Sequence, residues 1–478
     1  MAKEGFIEKD KRKKILLLCD DIRVHSGIAH VGKEIVLKTC HHYNWCQIAG
    51  AVKHPDKGKI IELSDSLDKE YGIKDASVTL YPTDGYGDSR ILRDMMKREK
   101  PDAILFITDP RYFMWAFQIE NEIRKDIPII YLNIWDDYPA PQYNENFYES
   151  CDALYGISKQ TVNINKIVLG DKAKNKIIEY LPHGLNEDIF KPLPQDNKIL
   201  SEMKKQIFRN DEFDFVLFFN SRNIRRKQIS DTIWAYKMFL DSLPKEKAEK
   251  CCFLLKTQIS DNNGTDLKAV CEYLFGDDWE KYIRFVDGRL SPEQMSALYN
   301  MSDATILLTS NEGWGLALTE SMLTGTPIIA NVTGGMQDQM RFIDENGKWF
   351  TPSPQVPSNN TGKYKSHGEW AFPVFPACRS IQGSPITPYI WDDRCKPEDA
   401  ADRIREIYDL SPEERKSKGA KGREWALSDE AGFTAEHQGK RFIEYTDKLF
   451  KTWEPRERYE FLNSNEYKTR TLNHNLVY

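Results

Sequence analysis

The chain lacks a long apolar segment. No stretch of about 18 consecutive apolar residues occurs, so the sequence predicts no transmembrane helix. The N-terminal segment MAKEGFIEKDKRKK has no apolar core of the kind that a secretory signal requires. The nine cysteines are scattered and form no C-x-x-C pair, which favours reduced thiols and a cytoplasmic location.

Standard metal patterns and an excess of basic residues are also missing. The segment CHHYNWC (40–46) matches no zinc spacing, and we interpret it as a helix end followed by a strand. The net charge of −6 gives no overall electrostatic footprint for nucleic acid. An acidic total can still contain a basic cleft, so only a generally basic nucleic-acid-binding protein is excluded.

Two series of continuous apolar segments are present. The first consists of KKILLLCDD (13–21), AILFITD (103–109), IPIIYLNIW (127–135) and CDALYGIS (151–158). The second consists of FDFVLFFNSR (213–222), CCFLLKTQ (251–258), YIRFVDG (282–288), DATILLTS (303–310) and TPIIANV (326–332). Strands without alternation, separated by helices, indicate parallel sheets covered on both faces. The sequence therefore predicts an α/β protein of two facing, doubly wound Rossmann-like domains, with ligands between them.

Composition suggests where these domains begin and end. The proline-rich segment LPHGLNEDIFKPLPQD (181–196) is typical of an interdomain linker. We predict an N-terminal acceptor domain at 1–190 and a C-terminal donor domain at 191–430. Residues 350–397, rich in Pro, Gly, Ser and aromatic side chains, are predicted to be an irregular insertion. Residues 431–478 are predicted to form a helix and a tail that pack back on the N-terminal domain.

The stretch NEGWGLALTESMLTGTPIIA (311–330) is the most informative in the chain. It predicts a loop, a helix that begins near Ala317, and a buried strand. Free amides at a helix start suit a phosphate, and the carboxylates of Glu312 and Glu320 suit sugar hydroxyls, because an ionised acid only accepts hydrogen bonds. The stretch therefore predicts a site for a nucleotide-diphosphate sugar, although an ordinary strand–loop–helix with two solvated glutamates is the simpler alternative.

This stretch resembles the donor-site signature of retaining glycosyltransferases of family four, which have the GT-B fold and two glutamates eight positions apart. Three other segments are similar to family motifs: IRVHSGIAH (22–30), YLPHGLNEDIFKPL (180–193) and NSRNIRRKQ (220–228). The WDDYPAP segment and the long insertion look like those of phage-encoded members.

The resemblance implies a role for each matching residue. Glu320 would accept hydrogen bonds from the ribose, and Glu312 would hold the transferred sugar. The amides of Trp314, Gly315 and Leu316, together with Gly27 across the cleft, would face the diphosphate. Arg222 and Lys227 would stabilise the leaving diphosphate, whereas Arg225 and Arg226 are predicted to be surface residues or acceptor contacts. A solvated basic loop is the plainer interpretation of this charge run.

The family comparison also implies chemistry without a resident cofactor. The anomeric configuration is retained and no metal is needed, since cations handle the phosphate and no D-x-D follows a strand. The nucleotide sugar is a co-substrate, and UDP is preferred only because it is common in the family. The chain departs from the family at NIWDDYPAPQYN (133–144), which lacks the usual histidine. Asp136 is predicted to orient the acceptor or sugar there.

Several alternatives stay open at this stage. A protein that only binds nucleotide sugars would keep the same motif, as would a two-domain epimerase. The acceptor could be a saccharide, a glycolipid, or 5-hydroxymethylcytosine in duplex phage DNA. For DNA, a flipped base could be held by basic and aromatic side chains of the insertion: Lys363, Lys365, Trp370, Phe372, Phe375 and Arg379. Otherwise the insertion is a lid packed on its own aromatic residues.

Overall fold

A computed structural model describes residues 5–209 and 211–457 of the protein. The N-terminal part alternates strands with helices. Its strands are β1 (Lys14–Asp20), β2 (Asn44–Ala51), β3 (Ile61–Glu62), β4 (Val78–Asp84), β5 (Ala103–Ile107), β6 (Ile129–Asn133), β7 (Ala153–Gly156) and β8 (Ile177–Tyr180). Its helices are α1 (Gly27–Thr39), α2 (Ser64–Tyr71), α3 (Ser89–Glu99), α4 (Met114–Phe117), α5 (Glu120–Ile123), α6 (Glu145–Glu149) and α7 (Lys159–Leu169).

The C-terminal part repeats this alternation. Its strands are β9 (Phe215–Asn220), β10 (Cys251–Lys256), β11 (Ile283–Val286), β12 (Ala304–Leu307), β13 (Ile328–Asn331), β14 (Ala371–Val374), β15 (Cys378–Gln382) and β16 (Ile390–Arg394). Its helices are α8 (Lys198–Phe208), α9 (Ile229–Asp241), α10 (Lys245–Ala248), α11 (Leu267–Phe275), α12 (Pro292–Asn300), α13 (Leu316–Leu323), α14 (Met336–Met340), α15 (Pro397–Tyr408), α16 (Pro412–Leu427) and α17 (Ala435–Thr452). Short 3₁₀ helices lie at Lys9–Lys11, Pro110–Phe113, Gln142–Asn144, Gly170–Asn175, Arg225–Lys227 and Gly276–Lys281.

The strands form two main sheets. The N-terminal sheet has the order β3-β4-β2-β1-β5-β6-β7-β8 and is parallel except where β3 meets β4. The C-terminal sheet has the order β11-β10-β9-β12-β13-β14, and its neighbouring strands are parallel. All five residues of β5 and of β6 are buried, which explains why their sequences show no alternation. The predicted pair of doubly wound Rossmann-like domains is confirmed.

Each sheet reverses its strand order at one place. In the N-terminal sheet the chain builds outward from β1 in both directions, because β1 pairs with both β2 and β5. In the C-terminal sheet β9 pairs in the same way with β10 and β12. Ligands of open α/β sheets bind beyond the carboxyl ends of the strands at such a switch point. In the C-terminal domain, we therefore expect a ligand to bind at the loops that follow β9 and β12.

The polypeptide crosses between the two domains at two neighbouring places. Residues 181–197 lead from β8 to α8, and the chain returns after α16 so that α17 packs against α1. The crossings are hydrogen-bonded to each other, with the Leu185 amide donating to the Phe433 carbonyl at 3.1 Å and the Ala435 amide to the Leu185 carbonyl at 2.8 Å. The predicted tail at 458–478 lies outside the described residues.

The predicted irregular insertion at 350–397 is wrong in part, because the segment contains β14 and the hairpin β15–β16. Pro373 lies within β14. Because proline is rare in strands, its presence favoured a loop in the sequence. Since β14 is the edge of the sheet, a residue without an amide hydrogen is tolerated there. Among the helices of the described part, none is long and apolar enough to cross a membrane.

Candidate active site

Two loops meet at the switch point of the C-terminal sheet. We call residues 221–228, after β9, the basic loop, and residues 308–315, after β12, the glutamate loop. The carbonyl of Arg226 accepts hydrogen bonds from the Ser310 amide at 2.8 Å and the Thr309 hydroxyl at 3.0 Å. This backbone contact fixes the basic side chains beside the glutamate loop.

Glu312 lies in a buried cluster of charges. Its carboxylate pairs with the ammonium of Lys227 and accepts a hydrogen bond from Nη1 of Arg226 at 3.1 Å. Burial raises the pKa of Glu312, but the charges of Lys227 and Arg226 outweigh it and lower that pKa to about 2. Glu312 is therefore ionised at neutral pH, with two cations beside it.

Two arginines of the basic loop differ in their surroundings. Arg226, predicted to be a surface residue or an acceptor contact, contacts Glu312, and its side chain is only 33% exposed. The reason is the short helical turn at Arg225–Lys227, which brings consecutive cations to the same carboxylate. Arg222 instead donates to Asp261 at 3.0 Å and is 59% exposed. Its predicted role at the diphosphate stays a prediction.

Glu320 lies on α13, one turn beyond its start. It accepts hydrogen bonds from the Tyr299 hydroxyl and from Nδ2 of Asn220, the latter at 3.1 Å. Burial raises the pKa of Glu320 to about 7, although both hydrogen bonds oppose this shift. Glu312 and Glu320 thus differ sharply in acidity, because only Glu312 has cations as partners.

The start of α13 has no side-chain cap. The helix begins at Leu316, and its N-cap is Gly315, which has a φ of +88°. The ring of Trp314 is buried, and its indole donates to Thr319 at 3.0 Å. The amides of Trp314, Gly315 and Leu316 are the ones predicted to face a diphosphate, and the helix terminus favours an anion.

Two glycines after β13 support the glutamate loop from behind. The Gly335 amide donates to the Glu312 carbonyl at 2.9 Å. A Cβ at Gly334 would overlap the Glu312 carbonyl, and one at Gly335 would overlap the Gly313 carbonyl. Only glycine permits this backbone-to-backbone packing. The dipeptide was a visible sequence signal that the sequence analysis did not use.

The N-terminal domain approaches the glutamate loop at two points. Gly27 is the first residue of α1, and a Cβ there would lie 3.9 Å from Cδ1 of Leu316. A Cβ on Gly313 would lie 2.8 Å from the Ile134 carbonyl oxygen. A Cβ at Gly27 would make an ordinary van der Waals contact, whereas the absence of a Cβ at Gly313 is what permits the close approach between the domains. Gly27 lies opposite the start of α13, as its predicted role requires.

Asp136 belongs to residues 134–141, the loop after β6, which we call the aspartate loop. One of its oxygens lies 4.0 Å from Nη1 of Arg226. Burial and the charge of Glu312 raise the pKa of Asp136, whereas Arg226 lowers it. The structure thus brings Asp136 into the same electrostatic cluster as Glu312 and Lys227.

Two histidines that the sequence analysis did not single out also lie beside this cluster. The ring of His183 is 6.4 Å from that of Trp314, and its buried Nδ1 has no hydrogen-bond partner among the described residues. Burial and the nearby charge of His30 lower the pKa of His183 to about 3. Burial and Lys33 lower the pKa of His30 to about 4. Both imidazoles are therefore neutral at physiological pH. The segment LPHG was the signal for His183.

Two of the aromatic residues proposed to hold a flipped base are not available for it. Trp370 is buried and stacks on Trp425 at 5.2 Å, and Phe372 is buried within β14. Arg379 is paired with Asp393 and covers the ring of Trp391. The base-gripping hypothesis is therefore wrong for Trp370 and Phe372, because the stacking on Trp425 and the formation of β14 place them in the domain core. For Lys363, Lys365 and Phe375 it stays a prediction. Within the described residues, no group of three or more His, Cys, Asp or Glu is placed to hold a metal ion.

Comparison with known proteins agrees with this geometry. Residues 281–356 match the family described as glycosyl transferases group 1, a range that contains both glutamates and the glycine pair. Similar curated proteins include D-inositol 3-phosphate glycosyltransferases of Corynebacterium efficiens, 40% identical over 57 residues, and of Corynebacterium urealyticum, 36% identical over 55 residues. Each match covers 12% of this chain and 13% of the relative.

Similar solved structures cover nearly the whole chain. They include sucrose-phosphate synthase from Thermosynechococcus elongatus (TM-score 0.64, 15% identity), a glycosyltransferase from Rickettsia africae (0.63, 15%) and Anabaena HepE in complex with UDP and glucose (0.62, 13%). Each covers 92% of this chain and is itself covered completely. At these identities the likeness concerns the fold. The protein therefore has the two-domain GT-B fold of these structures, and the segment 281–356 that matches the family of glycosyl transferases group 1 carries both glutamates of the candidate site.

Proposed function

We propose that the protein is a retaining, metal-independent glycosyltransferase. It transfers a sugar from a nucleotide-diphosphate sugar, preferably a UDP-sugar, to a hydroxyl of a saccharide or glycolipid. The observation that carries this proposal is the buried pairing of Glu312 with Lys227 and Arg226 beside the uncapped start of α13. That arrangement offers hydroxyl acceptors and anion-binding groups within one site.

Each group has a task in such a reaction. Glu320 accepts hydrogen bonds from the ribose hydroxyls, and the first amides of α13 bind the diphosphate. Glu312 holds hydroxyls of the transferred sugar. Lys227 and Arg226 stabilise the negative charge that grows on the diphosphate as its bond to the sugar breaks, an effect worth about 3–4 kcal/mol per well-placed group.

The bond changes need no covalent intermediate. The bond between the anomeric carbon and the diphosphate oxygen breaks, and the acceptor oxygen bonds to the same face of that carbon. The acceptor proton passes to an oxygen of the leaving diphosphate. Asp136, on the opposite wall, orients the acceptor or the sugar. The preference for uridine is supported by the UDP complex of HepE, which shares the fold.

The proposal is tested by transfer assays with UDP-, GDP- and ADP-sugars and a panel of oligosaccharide acceptors, in the presence of EDTA. The expected result is transfer from one nucleotide sugar, with a product whose anomeric configuration, measured by NMR, equals that of the donor. Glu312→Gln should abolish most of the transfer. Glu345→Gln, at an exposed position of the same domain, serves as its matched control.

Three outcomes would contradict parts of the proposal. Nucleotide binding without transfer to any acceptor would indicate a binding protein. Activity that returns only when manganese or magnesium is added would disprove metal independence. Equal transfer rates in Glu312→Gln and Glu345→Gln would show that the site has been assigned to the wrong residues.

A further inference from the structure

The hairpin β15–β16 lies between the two domains. Among the described strands, β15 and β16 pair with each other and not with the six-stranded sheet. Its strand β16 is hydrogen-bonded to both loops of the candidate site. The Asp393 amide donates to the Ser310 carbonyl at 2.8 Å, in the glutamate loop. Nη2 of Arg394 donates to Oε1 of Gln228 at 2.8 Å, in the basic loop. One strand therefore connects the loops that carry Glu312 and Lys227.

The other side of the hairpin contacts the N-terminal domain. The Trp391 amide donates to the Tyr138 carbonyl at 2.7 Å, in the aspartate loop. Nearer the turn, Nη1 of Arg111 donates to the Ile386 carbonyl at 2.6 Å. The hairpin therefore spans the cleft and joins the aspartate loop to the two loops of the C-terminal domain.

A chain of polar groups lies at the centre of these contacts. Asp393 is fully buried and accepts hydrogen bonds from Nε and Nη2 of Arg379 at 2.6 and 3.0 Å. The hydroxyl of Thr333 lies 2.9 Å from Oδ2 of Asp393 and 3.0 Å from Oδ2 of Asp137. A hydroxyl has a single hydrogen, so it can donate to only one of these carboxyl groups. Both contacts are satisfied when Asp137 carries a proton and donates it to Thr333, which then donates to Asp393.

The surroundings of Asp137 favour that protonated form. Burial and the charge of Asp393 raise the pKa of Asp137 to about 8, although the Tyr138 amide, Thr333 and the more distant Arg379 oppose the shift. Nε2 of Gln160 also donates to Asp137, at 2.8 Å. Asp393, at the opposite end of this chain of polar groups, lies 3.5 Å from Nδ2 of Asn360 and is paired with the charge of Arg379.

We infer that Asp393 is a positioning residue for the proposed transfer reaction. Through β16, Thr333 and protonated Asp137, it holds the glutamate, basic and aspartate loops in one fixed arrangement. Asp393 itself does not touch the substrate in this arrangement. Ionisation of Asp137 would place one negative charge on each side of the Thr333 hydroxyl, which has a single hydrogen to donate. The connection between the domains would then be weaker. The inference rests on the proposed function only for its kinetic consequences, because the loop arrangement can be measured without turnover.

Thr333→Val tests the connection, since valine keeps the shape of threonine and removes its hydroxyl. We expect kcat to fall about tenfold or more, while the Kd for UDP changes little, because Glu320 and α13 are untouched. Hydrogen exchange of the amides in the glutamate loop should become faster. Thr333→Ser, which keeps the hydroxyl, should restore both quantities. Gln382→Ala, at an exposed position of β15, is the matched control in the hairpin.

Asp137→Asn tests the shared proton. In the native protein, the transfer rate should decline as the pH rises above about 8. Over the same range the amides of the glutamate loop should lose protection, measured as their exchange rate relative to the intrinsic rate of an unfolded amide at each pH. Asparagine always carries a donor for Thr333, so the variant should lose both changes. If the protein proves to have no transferase activity, the exchange measurements still test the inference.

Two results would overturn the inference. One is a folded Thr333→Val protein whose glutamate loop exchanges as slowly as in Gln382→Ala. The other is an Asp137→Asn protein whose glutamate loop loses protection, relative to the intrinsic exchange rate at each pH, over the same pH range as the native protein. If Thr333→Val does not fold, Arg379→Lys provides the same comparison, because it weakens the partner of Asp393 and should accelerate exchange in the same loop.

Discussion

Nucleotide binding should depend on pH through Glu320. Under the proposed function, its carboxylate accepts hydrogen bonds from two ribose hydroxyls, and only the ionised form can accept with both oxygens without competition from its own proton. Burial raises the pKa of this group to about 7. At a pH one unit below that value only about a tenth of the protein would be ionised, so UDP affinity should fall about tenfold, or about 1.4 kcal/mol.

Removing the hydrogen bond from Tyr299 offers a second way to change the pH dependence of UDP binding. This bond lowers the pKa of Glu320, so Tyr299→Phe should raise that pKa. The pH at which UDP binding is half lost should then move upward. Glu320→Gln has no carboxyl group to titrate, and its weaker binding should lose this component of the pH dependence.

Isothermal titration calorimetry between about pH 5.5 and about pH 8.5 would measure these effects. UDP itself changes its charge within this pH range, since a phosphate group has a second pKa of about 6. Glu320→Gln experiences the same change in the ligand, so the difference between the two proteins isolates Glu320. The reasoning would be refuted if UDP affinity changed equally with pH in the native protein and in Glu320→Gln. It would also be refuted if Tyr299→Phe lost UDP binding at a lower pH than the native protein.

Two further predictions concern the cations and the domain contact. Lys227→Ala and Arg222→Ala should each lower kcat by about two orders of magnitude in steady-state assays, and for Arg222 this requires that its side chain leave Asp261. Unchanged rates would show that neither cation acts on the leaving diphosphate. Arg222 would then be a solvated loop residue, and Lys227 only the buried partner of Glu312. Gly313→Ala would place a Cβ 2.8 Å from the Ile134 carbonyl oxygen and should therefore push the two domains apart. We expect kcat/KM to fall about a hundredfold and the melting temperature to change little. Native kinetics in this variant would show that Gly313 and Ile134 do not meet during turnover.

The sequence predicted those features that depend on neighbouring residues. Continuous apolar segments identified β1 and β5 to β7 in the first sheet and β9 to β13 in the second, because buried parallel strands need no alternation. The spacing of Glu312 and Glu320 within a glycine-containing loop identified the centre of the site. Both signals are local, so one sequence was sufficient to read them.

Contacts between distant segments were not predictable in this way. Asp137 and Asp393 share Thr333, yet they are 256 positions apart and belong to elements of different domains. The hairpin was hidden because its Pro- and Gly-rich surroundings resemble a loop. Arg226 was misplaced because a charge run does not reveal which cation a helical turn directs inward. Such features arise from the tertiary arrangement, which a local pattern does not encode.

The paired crossings of the chain have a mechanical consequence. Leu185 and Thr434 form a bridge between the outgoing and returning segments, and a Cβ on Gly184 would overlap the Thr434 carbonyl. Because both covalent connections pass through this one place, any opening of the cleft would be a rotation about it. A point far from a hinge moves further than a point near it for the same angle. Small changes in backbone torsion at residues 184–185 are thus converted into larger displacements at the hairpin, where the two domains separate or meet.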